Sequence, residues 1–155
     1  MNGADLIKAQ LNEANLYAAQ LNEAYLSWAQ LNGADLSQAK LNRADLLAAQ
    51  LNSARLLAAQ LNGAEYLTEA ELRGVLVADL DFTDVTITRE KLHEMFGDAS
   101  VILPEALQPA PTHWPTVVLG LGDAFPEWKR WLEDPDGYVF DPTRYGDKYT
   151  DQTGE

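Results

Sequence analysis

The sequence predicts an all-β repeat architecture, a column in which the chain turns a corner every five residues. Two observations predict it. Written in fives from Ala4, the chain places Ala at thirteen consecutive first positions, Ala4 to Ala64, and Leu at the third position twelve times running, Leu6 to Leu61. A period of five also suits neither regular element. On an α-helix five residues advance about 140° beyond a full turn, so the leucines would spiral and form no stripe. On a flat strand an odd period sends successive leucines to opposite faces. A chain that bends every five residues points both Ala and Leu inward on one short extended side. Ala fits the crowded corner and Leu fills the middle.

The register predicts the rest of the column. Tyr66 takes the thirteenth Leu slot, and Glu69 reads as a one-residue interruption. The frame resumes as AELRG VLVAD LDFTD VTITR with centres Leu72, Val77, Phe82 and Ile87, which makes seventeen units. Gly33, Gly63 and Gly74 stand at the last place of their units, where a tight corner accounts for them.

The A-(D/N)-L-x-x pattern over residues 4 to about 89 resembles the pentapeptide-repeat family. That resemblance implies a right-handed, four-sided β-helix with four units per coil, so about four coils here. At the spacing of paired strands, ~4.8 Å, the column would stand roughly 20 Å tall.

Four units per coil stack residues twenty apart, which sorts the outward positions by wall. Gln10, Gln30 and Gln50 with Asn12, Asn32 and Asn52 share one wall; Gln20, Lys40 and Gln60 with Asn22, Asn42 and Asn62 share the opposite one. These amides are expected to bond to like residues above and below. Ice binding is set aside, since Thr is absent from the first twelve units. A third wall shows Asp5, Tyr25, Asp45 and Glu65 beside Ile7, Ser27, Leu47 and Leu67, with Trp28 near its edge. The fourth shows Tyr17, Ser37 and Leu57 with Asn15, Asp35, Arg55 and Leu76. Outward Ile7, Tyr25, Trp28, Leu47 and Leu67, and Tyr17 and Leu57 opposite, make a candidate interaction surface, because contiguous apolar patches mark contacts. Either the chain's own C-terminal arm or another protein is expected to cover it.

The two ends differ. Met1-Asn2-Gly3 matches the tail of a preceding unit, and nothing polar covers the first coil, although repeat arrays need capped ends. This predicts that the chain is the C-terminal part of a longer protein; the rival is a genuine start whose bare coil a second copy covers. At the other end the expected domain boundary falls at residue 89, with residues 90–155 forming a cap and an arm. Thr88 to Gly97 reads as a short capping helix with Thr88 as N-cap, Glu90 in the first turn, Gly97 at C′, and Leu92, Met95 and Phe96 on one face. Four prolines between 104 and 115 force an extended path, with Val101 to Leu103 running along the column. The stretch from Thr86 to Pro115 resembles a tail that follows such arrays in many bacterial proteins, TxxQLxxAFGD…LPxxL…PxHW, with Lys91 in place of Gln; the resemblance implies a bacterial origin. Residues 123–133 read as an amphipathic helix with Asp123 as N-cap and Phe125, Trp128, Trp131 and Leu132 on its apolar face. Trp128 and Trp131 complete the candidate interaction surface, as anchors on the column or on a partner. Residues 134–155 are polar and acidic, with disorder expected toward the end.

Composition limits the function. The 155 residues carry no Cys, two His and a formal charge of −13. Disulfides and thiolate sites are excluded, and nucleic acid and anionic lipid would be repelled. No apolar run reaches the ~18 residues of a membrane helix, and no basic segment with an apolar core opens the chain, so a cytoplasmic protein is expected. No catalytic, metal or cofactor motif appears. The expected role is a non-enzymatic structural or protein-binding module, with another protein, or a second copy at the uncapped N-terminal coil, as partner. The alternative comes from family members that resemble duplex DNA and bind DNA gyrase. Against it, residues 4–88 hold 11 acidic and 5 basic residues, a net of only −6.

Overall fold

Backbone pairing between residues one coil apart organises the chain. In the computed structural model, which describes residues 2–149, Asp5 pairs in parallel with Tyr25, Gln10 with Gln30, Asn15 with Asp35 and Gln20 with Lys40, and the same step of twenty continues to Asp45–Glu65. Each pairing is a single bridge, too short to count as a strand, because the next corner begins two residues later. Two hydrogen bonds make it: Leu6 N–H donates to the Tyr25 carbonyl at 2.9 Å, and Tyr25 N–H donates to the Ala4 carbonyl at 2.9 Å.

The corners require a left-handed residue at the fifth position of each unit. Gly33 and Gly63 take it, but so do Lys8, Glu13, Trp28, Gln38 and Arg43, with φ between 57° and 69°. Each non-glycine there carries a cost of about 1–2 kcal/mol. The pairing and burial on either side offset that cost.

From the second coil on, Ala and Leu fill the interior completely: Leu21, Leu26, Leu31, Leu36, Ala24, Ala29 and Ala34 have no exposure. Each such Leu contributes about 2 kcal/mol. In the first coil Leu6, Leu11 and Leu16 are only half-buried.

The third coil shifts the register. Gln50 pairs with Glu71, twenty-one residues on, and Arg55 with Leu76. The sequence places the extra residue at Glu69; the structure places it at Tyr66. Tyr66 has φ 60° and is exposed, whereas Leu67 is buried in the interior with Ala70 and Leu72 after it. A leucine-shaped slot takes Leu67 and rejects the phenol, so Leu67 is not an outward residue of the third wall.

The amide walls keep part of the expected ladder of like with like, Asn32 Nδ2 donating to Asn12 Oδ1 at 3.3 Å, and add the backbone and the glutamines as partners. The Asn12 Oδ1 accepts the backbone N–H of Asn32 at 3.1 Å, Asn32 that of Asn52, and Asn42 that of Asn62. The Asn Nδ2 groups donate mainly to glutamines: Asn12 to Gln30, Asn32 to Gln50 and Asn42 to Gln60, at 3.1–3.2 Å. On the other walls the same backbone donor is satisfied within its own unit, as Tyr17 N–H bonds Asn15 Oδ1 and Leu47 N–H bonds Asp45 Oδ1, both at 3.0 Å. The alternation of A-(D/N)-L and A-Q-L-N units therefore provides two ways of satisfying one turn donor.

Below the repeats the chain keeps pairing to the column. Helix α1, Arg89–His93, starts from Thr88, whose hydroxyl accepts Lys91 N–H at 3.3 Å. It is shorter than expected and ends at Glu94, so Gly97 is not its C′ residue. Phe96 instead pairs with Leu76, and Ile102 with Asp81, so residues beyond 89 belong to the column's own bridge network. A Cβ on Gly97 would lie 2.8 Å from the Trp114 ring, which covers it. Leu92, Met95, Leu103 and Trp114 close the lower end of the interior. Helix α2, Leu121–Glu133, begins two residues before the expected Asp123, with Gly120 as N-cap. No helix among the described residues is long and apolar enough to cross a membrane. Met1, which opens the unit tail read in Met1-Asn2-Gly3, and residues 150–155, the end of the polar tail, lie outside the described residues.

Two substitutions test the interior. Leu36→Ala should cost about 3 kcal/mol, the penalty of a buried cavity. Leu36→Asp places a lone charge where no water reaches and should unfold the column, read as loss of the far-ultraviolet signal and the thermal transition.

Candidate functional site

The C-terminal arm covers the lower part of the fourth wall, around Arg55, Leu57 and Leu76, and this decides which candidate residues remain on the surface. Phe96 pairs beside Leu76, and α2 lays Trp128 and Trp131 over Leu57, Leu76, Ala78 and Phe96. The Trp128 Nε1–H donates to the Gly74 carbonyl at 2.9 Å. A Cβ at Gly74 would lie 2.8 Å from Leu132, so this corner is glycine for φ +75° and for α2 alike. Arg55 pairs with Asp35 at 2.9 Å and lies 5.6 Å from the Phe125 ring.

A carboxylate network fastens the tail to α2. Glu127 is fully buried and accepts from Arg130 Nη1 at 2.7 and 3.0 Å, from Tyr138 at 2.7 Å and from Tyr145 at 2.6 Å. Burial works against its charge, yet the hydrogen bonds from Tyr145, Tyr138 and Arg130 outweigh it and hold the carboxyl below the usual range. Burial and the Glu127 bond push both phenols up. One turn earlier Asp123 bonds Lys148 and Tyr149, and those bonds lower its carboxyl too. Asp123 is thus a tail anchor and not a cap. Residues 134–149, read from the sequence as a polar tail, pack on α2 through these phenols.

Of the nine candidate surface residues, Leu57, Leu67, Trp128 and Trp131 are buried within the chain. Leu67 fills the column, and the other three meet at the arm. Leu47 is half-buried. Ile7, Tyr17, Tyr25 and Trp28 are exposed, with Tyr25 53% and Trp28 57% accessible. Ile7, Tyr25, Trp28 and Leu47 share the third wall, and Tyr17 stands on the fourth. Sequence reasoning missed Tyr66, 48% exposed; its signal was the adjacent pair Tyr66-Leu67, where only one side chain can enter the core. Ile102, Val118 and Val139, in the irregular arm, carry no periodic signal.

The two histidines come together, which their positions in different elements did not suggest. Their rings lie 5.9 Å apart, and His113 stacks on Trp131 at 5.2 Å while its Nε2 donates to the Met95 carbonyl at 2.7 Å. Burial lowers its pKa, partly countered by that bond. This is packing at the junction of α1, α2 and the proline-rich segment. A cleft of about 480 Å³ beside it is lined by Glu71, Arg73, Lys91, Glu94 and Trp131. Lys91 is engaged by the Ala70 carbonyl at 2.8 Å, so the cleft holds no free nucleophilic amine. No group of acidic, His or Cys side chains among the described residues could hold a metal ion.

Comparison with known proteins follows the repeat. A family model described as pentapeptide repeats matches residues 1–38 and 29–65, in eight copies. A pentapeptide repeat protein from the Arabidopsis thaliana thylakoid lumen is 32% identical, with 59% of this chain and 72% of that one covered and a TM-score of 0.32. One from Nostoc PCC 7120 is 28% identical, with 67% and 73% covered and a TM-score of 0.28. QnrB1, a plasmid-mediated fluoroquinolone resistance protein, is 17% identical, with 89% and 66% covered and a TM-score of 0.26. No curated protein matches this chain.

The arm generates three expectations. Gly74→Ala should cost about 1–2 kcal/mol for its left-handed φ and displace only the end of the Leu132 side chain, read as a lowered melting temperature with tryptophan emission unchanged. Because folded Glu127 titrates below the ordinary glutamate value of about 4.3, its bonds stabilise the arm above that pH and are lost as pH falls through the depressed value. The Glu127 contribution should therefore be lost only in solution more acid than about pH 5, while His113, stacked on Trp131 and lowered by burial, adds a separate change below its usual value of about 6.5; arm fluorescence of Glu127→Gln should lose the first change and keep the second. Glu127→Leu, which strands Arg130 and both phenols, should cost on the order of 3 kcal/mol at pH 7.

Proposed function

This chain belongs to the pentapeptide-repeat family, and on that premise we propose that it is a non-enzymatic structural or protein-binding module of the bacterial cytoplasm whose open walls are its working surface. The column is read as a right-handed, four-sided β-helix of a little over four coils, closed below by α1. One observation carries the functional reading: the third wall leaves Tyr25 and Trp28, three residues apart, more than half exposed, while every other tryptophan is buried. Large aromatic rings in water are characteristic of contact surfaces and are enriched where partners bind most tightly. The first coil is the place for self-association, since Leu6, Leu11 and Leu16 are half-buried there and their counterparts one coil on are covered.

The rival reading is a DNA-like acidic column that engages DNA gyrase, as the family resemblance implies for some members. The modest charge of the repeat region argues against it. Two experiments separate the readings. Added to a gyrase supercoiling reaction, the chain should leave both supercoiling and its quinolone inhibition unchanged; a change in either would favour the mimic. A photo-crosslinking residue placed at Tyr25 or at Tyr17 in the cells that make the protein should give a discrete cross-linked species. None at either position would count against a protein-binding role.

A further inference from the structure

The third wall combines exposed rings with carboxylates in fixed register, and that combination specifies a chemistry. Asp5, Tyr25, Asp45 and Glu65 form one continuous line of parallel bridges, so Tyr25 has a carboxylate-bearing residue one coil above and one coil below, at ~4.8 Å steps. Asp5 and Asp45 are held in place, their Oδ1 atoms accepting Ile7 N–H at 3.2 Å and Leu47 N–H at 3.0 Å, and Asp45 also accepts the Ser27 hydroxyl at 2.8 Å. Trp28 stands three residues along from Tyr25, at a corner with φ 62°. Trp114, Trp128 and Trp131 are all less than a tenth exposed, so Trp28 is the tryptophan the fold leaves in water. Neither ring has an aromatic or cationic partner among the described residues. Ile7 above and Leu47 below extend the apolar strip.

We propose that this wall docks a cationic segment of a partner protein, an extended arginine-bearing stretch whose guanidinium groups lie against the Tyr25 and Trp28 faces and reach the Asp5, Asp45 and Glu65 carboxylates. The proposal rests on the protein-binding reading and supplies the partner's chemistry. Guanidinium is the group that satisfies both features at once: its flat face stacks on rings and its donors fork onto carboxylates. The chain's charge of −13 attracts such a segment from a distance and repels nucleic acid and anionic lipid. It also disfavours a second copy of the same wall, which would set carboxylates against carboxylates.

The test uses the whole chain and three synthetic peptides, (Arg-Gly)5, (Glu-Gly)5 and (Leu-Ser)5, with binding read from tryptophan emission and from anisotropy of labelled peptide. The expected result is saturable binding of (Arg-Gly)5, weakened at least tenfold by Trp28→Asn and by Tyr25→Gln. Both substitutions suit the fold: Asn tolerates the left-handed corner, and Gln occupies the equivalent bridge position of neighbouring units. A thermal melt confirms that each variant keeps the column. Binding of (Arg-Gly)5 that is indifferent to Trp28, and simply fades with salt, would be diffuse attraction to an acidic protein and would overturn the proposal. Trp28-dependent binding of (Leu-Ser)5 or (Glu-Gly)5 in its place would overturn the cationic partner and leave the protein-binding role standing. Absence of Trp28-dependent binding by all three overturns it as well, and the fate of the broader role then rests on the crosslinking at Tyr25 and Tyr17.

Discussion

The rest of the molecule depends on backbone pairing between residues twenty apart. Each coil is a strip of short extended pieces separated by corners, and none of these pieces would hold its shape alone. The Leu6-to-Tyr25 and Tyr25-to-Ala4 bonds recur down the column and align every side chain with its counterpart one coil away. That alignment creates the walls. It turns a list of outward residues into columns of like position, and it makes an interior filled by Ala and Leu in the upper coils and by Val75, Val77, Phe82 and Ile87 below them.

Corners are the costly part of the design, and the sequence shows how the cost is met. Left-handed residues recur at the fifth position, many of them not glycine. The turn donor that follows each core leucine needs an acceptor, and an Asp or Asn two residues back, or an Asn one coil above, provides it. Polar side chains on these walls are therefore part of the backbone accounting before they are a surface. Where neither device is present, as at Tyr25-Leu26-Ser27-Trp28 and at Arg55-Leu56-Leu57-Ala58, the wall is freed to carry apolar or aromatic groups. At the second, Leu57 lies under the arm; at the first, Tyr25 and Trp28 lie open to solvent.

The arm shows the opposite organisation. It has no period, and its order comes from particular contacts. Trp128 seeks one carbonyl, Gly74 clears space for one leucine, and Glu127 gathers two phenols and a guanidinium. Removing one repeat contact weakens one coil, whereas removing Glu127 takes the acceptor from the buried Tyr138 and from the half-buried Arg130 and Tyr145 at once. The same chain thus combines a repetitive element tolerant of outward change with a terminal element that is sensitive at single residues.

The sequence by itself determined the column. The five-residue period, the inward Ala and Leu, and the stacking of residues twenty apart were legible because a repeat states the same rule many times. It also indicated that Tyr25 and Trp28 face outward, since both stand at non-core positions of a regular unit. Tertiary structure alone decided where the period breaks, because Tyr66 and Leu67 compete for one slot and only the shape of that slot chooses. It alone decided that Leu57, Trp128 and Trp131 bury one another, that Phe96 joins the bridge line of the column, and that Asp123 and Glu127 receive the tail. Those contacts join residues far apart in an aperiodic sequence. Each is made once, by shape and hydrogen-bond complementarity, so no repetition in the chain announces it.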